Sequence, residues 1–539
     1  MLAGFAQAAS KKPPETPVAD AAFSPPQFPT PETIAAEMGV SVADLPKLVD
    51  DFASALSLGM KSKQVVRICA RDEQLCQLIR DYFSQSEESR RERRRQRYSR
   101  RAIRLTERNV AEVQGMDFQR VVGGLRTDEE KRFLQAARLA LRHEGCPRNL
   151  SSALVVKGEE HYVNPEARAR LEELFAHASK CMDPSDVAWE RIHLRRGLFA
   201  LNEGDQVRAV ELLRKALEAK TPKERYRPLY WLGRIEWDKS KSPIPHWDDL
   251  LKEFPMSFYA IDASVKLGKD PMTVVASYQP KGFHRKTAGE EELNREILWL
   301  EALYTYKKFG SVGRWATWIV RSEDELPVEA LNYISALKVA SGLYRSNIQM
   351  LFGYFRKNPE AVNSENLQML FPRPYYEIIE EASRDKIDQY LVYGLMRQES
   401  GFDPRAVSRA RAKGLMQIIP STARRLASNG ARRLFNEKDN TMMGVKYLTR
   451  LAERFGGEME LVFAAYNAGP MKVEEWLKRN PKREDPILWN DMIPFMETRD
   501  YVVSILRNAY FYTRLYGDEA GSPKDVYRSR IVQGLVARN

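Results

Sequence analysis

The chain is poor in the residues that hold metals and cross-links, and no stretch of it is apolar for long. Four cysteines (Cys69, Cys76, Cys146, Cys181) and six histidines are spread over 539 residues. None of the cysteines forms a close Cys-x-x-Cys pair, so no metal site and no cofactor are expected. The even count fits two local disulfides, Cys69–Cys76 and Cys146–Cys181, and fits four buried thiols equally well. No apolar run approaches the roughly 20 residues that a membrane-spanning helix needs, so no transmembrane segment is expected. Strand-like alternation bounded by turn residues is also scarce, which leaves an all-α chain. Acid is in deficit: 85 Lys and Arg face 73 Asp and Glu, a net charge of +12. That balance suits an acidic polymer or surface as partner without choosing among nucleic acid, an anionic membrane face and a cell wall.

What is present falls into segments. A chain of this length exceeds one core, so two or more domains are expected. Residues 1–31 read as a flexible leader, rich in Pro, Ala, Ser and Thr. Within it Ala6-Gln-Ala8 resembles a signal cleavage site, although a basic start and a full apolar core are missing. Thr30-Pro31-Glu32 predicts a helix start, with Thr30 as cap and Pro31 in the first helical position. Between Arg90 and Arg108 lie ten arginines and two acids. This run could meet an anionic partner, but only Tyr98 lies within it to stack a base, so it reads first as a solvated helix and nucleic acid is not expected. Residues 185–290 have the spacing of stacked helix pairs of the tetratricopeptide kind. Trp189–Leu201 and Val207–Leu217 flank the turn Asn202-Glu-Gly-Asp205, and another helix begins at Tyr230. Such pairs cannot bury their apolar faces alone and must stack into a solenoid. Helical pattern continues to about residue 370, where Phe371-Pro-Arg-Pro374 breaks it. The expected division is an α-superhelical domain over 32–374 and a second domain over 375–539.

The second domain carries the chemistry. From Lys386 onward Ile387, Leu391, Leu395 and Glu399 share one stripe of an amphipathic helix. A carboxyl group on an apolar stripe is a local contradiction of the kind found at functional sites. Gly401 suits the left-handed position that ends a helix. Glu399 thus lies in the last turn, where the helix dipole and burial both raise its pKa, as a general acid requires. The alternative is a glutamate paired with an arginine at a helix end. Three further motifs follow: Gly414-Leu-Met-Gln417, Ala464-Ala-Tyr-Asn-Ala-Gly-Pro470 and Glu497-Thr-Arg499. Gln417 could both donate to and accept from sugar amides and hydroxyls, and Tyr466-Asn467 ends a helix. Glu497 opens one, where the dipole favours its ionised form. One carboxyl kept protonated and one kept charged match a division of acid and base roles.

With Glu399-Ser-Gly-Phe402 as the first, these four motifs stand in one order, and the run from Tyr375 to about Tyr516 resembles the catalytic domain of soluble lytic transglycosylases, with its goose-type lysozyme fold. Phe254-Pro-Met-Ser-Phe-Tyr259 and Pro372-Arg-Pro-Tyr375 resemble that family's superhelical and linker regions more weakly. The resemblance implies an all-α fold with an N-terminal superhelical solenoid and a lysozyme-like catalytic domain. It implies that Glu399 is the sole acid and base. Ser408 would contact the acetamido sugar, with Gln417, Tyr466 and Asn467 in the cleft and Glu497 a supporting or substrate-contacting carboxylate. Two departures bear on the sugar contacts. Ile419 stands where many relatives have a methionine, and Arg409 and Arg411 replace a proline and a glycine.

On this reading the enzyme cleaves the β-1,4 bond between N-acetylmuramic acid and N-acetylglucosamine of peptidoglycan. The muramic C6 hydroxyl closes on C1, leaving a 1,6-anhydro end without consuming water. That intramolecular hydroxyl makes the second carboxylate of ordinary glycosidases unnecessary. The glycan strands are the expected partner, with wall or envelope proteins as candidates, and the expected compartment is the periplasm. A lysozyme-like hydrolase on the same fold is one alternative. A non-catalytic helical-repeat protein that binds the wall is another.

Overall fold

The computed structural model describes residues 26–58, 75–84, 286 and, with short gaps, 103–275 and 290–517. The Ala6-Gln-Ala8 leader, the arginines of the 90–108 run, Cys69, Cys146 and Cys181 lie outside these residues. Among the described residues the chain is α-helical throughout, and β pairing is confined to isolated bridges such as Val407 with Lys413. Cys76 is buried and disulfide-bonded.

The chain divides into two compact units. The first comprises Met1–Glu88, Met272–Gly456 and Ile505–Asn539, and the second Ser89–Pro271 and Gly457–Ser504. One helix, Met496–Tyr516, has its first residues in the second unit and its remainder in the first.

In the second unit the expected helix pairs are present. Trp189–Glu203 is followed by Gln206–Leu217, with Gly204 in the left-handed region (φ 88°) and Asp205 capping the next helix through its contact with Arg208 N. Ala209, Leu212, Leu213 and Ala216 form the buried face of Gln206–Leu217. The following helix spans Tyr226–Ser240, beginning four residues before the expected Tyr230. Pro228 lies in its first turn, where a missing N–H leaves no helical bond unmade. Each pair is closed by an indole N–H. Trp189 donates to Lys215 O at 2.7 Å, and Trp247, on the helix Pro245–Glu253, donates to Tyr230 O at 3.0 Å. Burying the ring while its one polar atom is satisfied is what allows tryptophan into these seams.

The first unit repeats the device. Trp315 of the helix Phe309–Ser322 donates to Glu296 O of the helix Glu291–Thr305 at 2.9 Å. The helix Leu45–Leu58 joins this pair, with Phe52 4.5 Å from the ring of Trp299 and 5.1 Å from that of Trp315. The expected helix start is confirmed: Pro31–Met38 begins at Pro31, with Thr30 accepting from Thr33 N. Just ahead of it, Phe28 meets the ring of Tyr304 edge-on at 4.8 Å.

Candidate active site

Glu399 is the last residue of the helix Gln389–Glu399 in the first unit. The helix begins three residues beyond the expected Lys386, after Asp388, whose backbone (φ −59°, ψ 126°) is not helical. Asp388 then caps it, accepting from Tyr390 N at 2.7 Å. Of the expected stripe, Leu391, Leu395 and Glu399 lie on the helix and Ile387 precedes it; the three apolar residues are buried, and Glu399 is half-buried at the end. Ser400 N and Gly401 N close the last turn on Met396 O and Arg397 O. Gly401 has φ 61°, and a Cβ there would come within 2.9 Å of Arg345 Cγ, so both conformation and space call for glycine. Phe402 is also left-handed (φ 67°), an arrangement that costs a residue with a side chain about 1–2 kcal/mol. Ser400 Oγ accepts from Phe402 N at 3.1 Å, and the buried ring lies edge-on to Tyr344 and Tyr393. Backbone strain thus sits directly beside the carboxyl, as is common where geometry serves function.

Arg397, two residues earlier, is turned into the core. It donates to Leu370 O and to Asn508 Oδ1, and its guanidinium lies over the rings of Phe371 (4.5 Å) and Phe352 (5.1 Å). Burial disfavours its charge and pulls its pKa down to about 9.

Ser408 and Gln417 are brought together by the loop that follows. Ser408 N donates to Ala412 O at 2.9 Å, and its Oγ accepts from Ala412 N at 3.0 Å, which leaves its O–H free to donate. Arg409 and Arg411 lie exposed at the tip, with Arg411 left-handed (φ 62°). Gln417, also left-handed (φ 49°), donates both protons of Nε2, to Ala406 O at 3.0 Å and Gly414 O at 2.8 Å. Its amide therefore braces the loop, and its remaining polar capacity is that of an acceptor. Ile419 stands exposed ahead of the helix Pro420–Leu426.

The anchor of this loop was missed in the sequence. Asn440, buried on the helix Glu437–Arg454, accepts from Met416 N at 2.7 Å and donates to Lys413 O and Leu434 O. Gly444, one turn on, leaves room for the Met416 side chain. The signal available was an asparagine at four-residue spacing from Gly444 and Leu448 on a buried face.

Tyr466, Asn467 and Glu497 lie in the second unit. Tyr466 and Asn467 are half-buried at the end of the helix Met459–Ala468, which Gly469 separates from Pro470–Arg479. Thr498 Oγ1 donates to Asn467 Oδ1 at 2.6 Å, so two of the sequence motifs meet. Glu497 is exposed in the first turn of Met496–Tyr516. Arg499 points inward, donating to Ile493 O and to Glu159 Oε2 at 3.0 Å. Glu159 is 1% exposed. Burial alone would raise its pKa, but Arg191, Arg499 and Arg195 hold it down at about 2. Next to it Asp491, fully buried, accepts from Arg227 Nε (3.1 Å), Tyr259 Oη (2.6 Å) and Trp231 Nε1 (2.8 Å). Arg227 also donates to Asp500 at 2.7 Å. Residues 491–500 are thus tied to helix-pair residues 159–259 by buried charge.

Residues 377–488 match the family model of the transglycosylase SLT domain. The soluble lytic murein transglycosylase of Salmonella typhimurium is 32% identical over 169 residues, 30% of this chain and 26% of that protein. The membrane-bound lytic murein transglycosylase D of Escherichia coli is 37% identical over 112 residues, 20% of this chain and 25% of that one. The matched stretch thus spans about a quarter of these relatives' length. The crystal structure of the 70 kDa soluble lytic transglycosylase from Escherichia coli aligns with 91% of this chain and 75% of its own, with a TM-score of 0.54 at 19% identity. The fold is therefore the expected one, superhelical helix pairs followed by a lysozyme-like helical domain.

Proposed function

We propose that the protein is a peptidoglycan lytic transglycosylase in which Glu399 is the single acid and base. The observation that carries this is Glu399 itself, half-buried at the C-terminal end of its helix, beside the left-handed Gly401 and Phe402. From this position the carboxyl group would act as the acid that protonates the glycosidic oxygen. The carboxylate so formed then accepts the proton of the muramic C6 hydroxyl as that oxygen bonds to C1, and the ring closes to a 1,6-anhydro sugar. Ser408, Gln417, Ile419, Tyr466, Asn467 and Glu497 are the proposed glycan contacts. Gln417 serves through its carbonyl oxygen, since its amide protons are already engaged. The proposed catalytic domain is 375–539, preceded by the superhelical domain 32–374 and the leader 1–31.

Digestion of purified sacculi followed by mass spectrometry of the released muropeptides tests this. Anhydro products are expected, and Glu399→Gln should lower the rate about 1,000-fold. Products heavier by one water would instead identify a hydrolase, and an unchanged rate in Glu399→Gln would reject the enzymatic reading. A periplasmic location follows from the wall as substrate. The disulfide at Cys76 supports it, since such bonds persist in oxidising compartments. Glycan strands are the proposed partner, together with envelope proteins that act on the same polymer.

A further inference from the structure

Thr498 lies inside the Glu497-Thr-Arg499 motif and is 1% exposed. Its hydroxyl donates to Asn467 Oδ1 at 2.6 Å. Either end of an asparagine amide fits the same space, so its orientation is set by hydrogen bonding alone. With Oδ1 engaged, the half-buried side chain offers Nδ2 and its two protons to whatever lies against it. The turn that presents Thr498 is itself held by the two residues that follow it. Arg499 is fixed by Ile493 O and Glu159, and Asp500 by Arg227. Residue 497 is left facing solvent.

We propose that Thr498 is a positioning residue that orients the Asn467 amide so that it presents a donor pair to an acceptor oxygen of the glycan. The inference rests on the proposed wall-glycan function for its ligand and adds the polarity of one contact. It separates hydrogen bonding from packing, because valine matches threonine in shape and serine matches it in chemistry. A packing role favours Thr498→Val over Thr498→Ser, and the orienting role predicts the reverse order.

The test is titration calorimetry with an N-acetylglucosamine tetramer, using protein that also carries Glu399→Gln so that nothing is cleaved. Thr498→Val should weaken binding about tenfold, and Thr498→Ser should stay within about twofold of the parent. Asn467→Asp keeps the acceptor for Thr498 and removes the donor pair, so it should weaken binding at least as much. On intact wall, with Glu399 restored, Thr498→Val should raise KM by a similar factor with kcat little changed. The inference is overturned by parent-like binding in Thr498→Val or Asn467→Asp, by equal loss in the serine and valine variants, or by a parent that does not bind the tetramer. Failure of the catalytic reading is seen separately, as wall cleavage that survives Glu399→Gln.

Discussion

Each compact unit buries a glutamate almost completely, and the two are held in opposite states. Glu159 in the second unit is 1% exposed and Glu296 in the first is 2% exposed. Glu159 meets a fork from Arg191, at 2.6 and 3.2 Å, and a further N–H from Arg499. Its pKa is held down at about 2 by these cations and Arg195, against the opposing effect of burial. Among the described residues Glu296 has no such neighbour. Burial, with Glu323, Glu292 and Asp81 acting in the same direction, pushes its pKa up to about 8, and among the described residues its Oε2 has no hydrogen-bond partner. Burial decides only that ionisation is expensive; the neighbours decide whether it occurs. Charge holds the 491–500 segment to its helix pairs in the second unit. The site loop of the first unit is held by neutral amides, those of Gln417 and Asn440.

If that contrast is correct, Glu159→Ala should be the most damaging of these changes. It strands three arginines and is expected to cost about 3–5 kcal/mol in chemical denaturation. A cost below about 1 kcal/mol would mean that the cluster does not hold the segment. The pH response sharpens the comparison. The folded pKa of Glu159 lies below its unfolded value, so its stabilisation is complete above about pH 4.5 and lost as pH falls towards 2, about 3 kcal/mol in all. In Glu159→Gln this part of the acid limb should disappear. Glu296 has the reverse sign: its folded pKa exceeds its unfolded one, so its contribution is complete below about pH 4.5 and is lost as pH rises towards 8. Glu296→Gln, neutral at every pH, should therefore stabilise the protein at pH 8 by about 4 kcal/mol, with little effect at pH 4. Melting curves at the two pH values decide this, and a parallel loss at both would show that Glu296 is ionised and paired.

What could be read from the chain was local. Thr30 and Pro31 mark a helix start within three residues, Gly401 marks an end, and Leu391, Leu395 and Glu399 share one helical face. Each of these rests on backbone geometry within one or two turns. The superhelical class was legible for the same reason, since helix pairs repeat a local pattern. The bonds that hold the site residues were not. Arg499 and Glu159 are 340 residues apart, and no periodicity records their meeting. Gln417 was read as a sugar contact from its chemistry, but its left-handed backbone, which turns its amide onto the loop, has no sequence signature. Thr498 lay within a motif already noticed, and its partner in another; only their approach in space gave it a role.

The separation of 340 residues also sets a schedule. Ribosomes add about 5–20 residues per second, so Glu159 and Arg191 can pair within seconds, whereas Arg499 follows Glu159 by roughly 20–70 s. For that interval the nascent second unit holds its arginine-rich interior without its last strap, open to water and to chaperones. Completion of the buried cluster is therefore a late event in biosynthesis. A chain halted before residue 499 should remain sensitive to protease near Glu159 long after its helix pairs have formed.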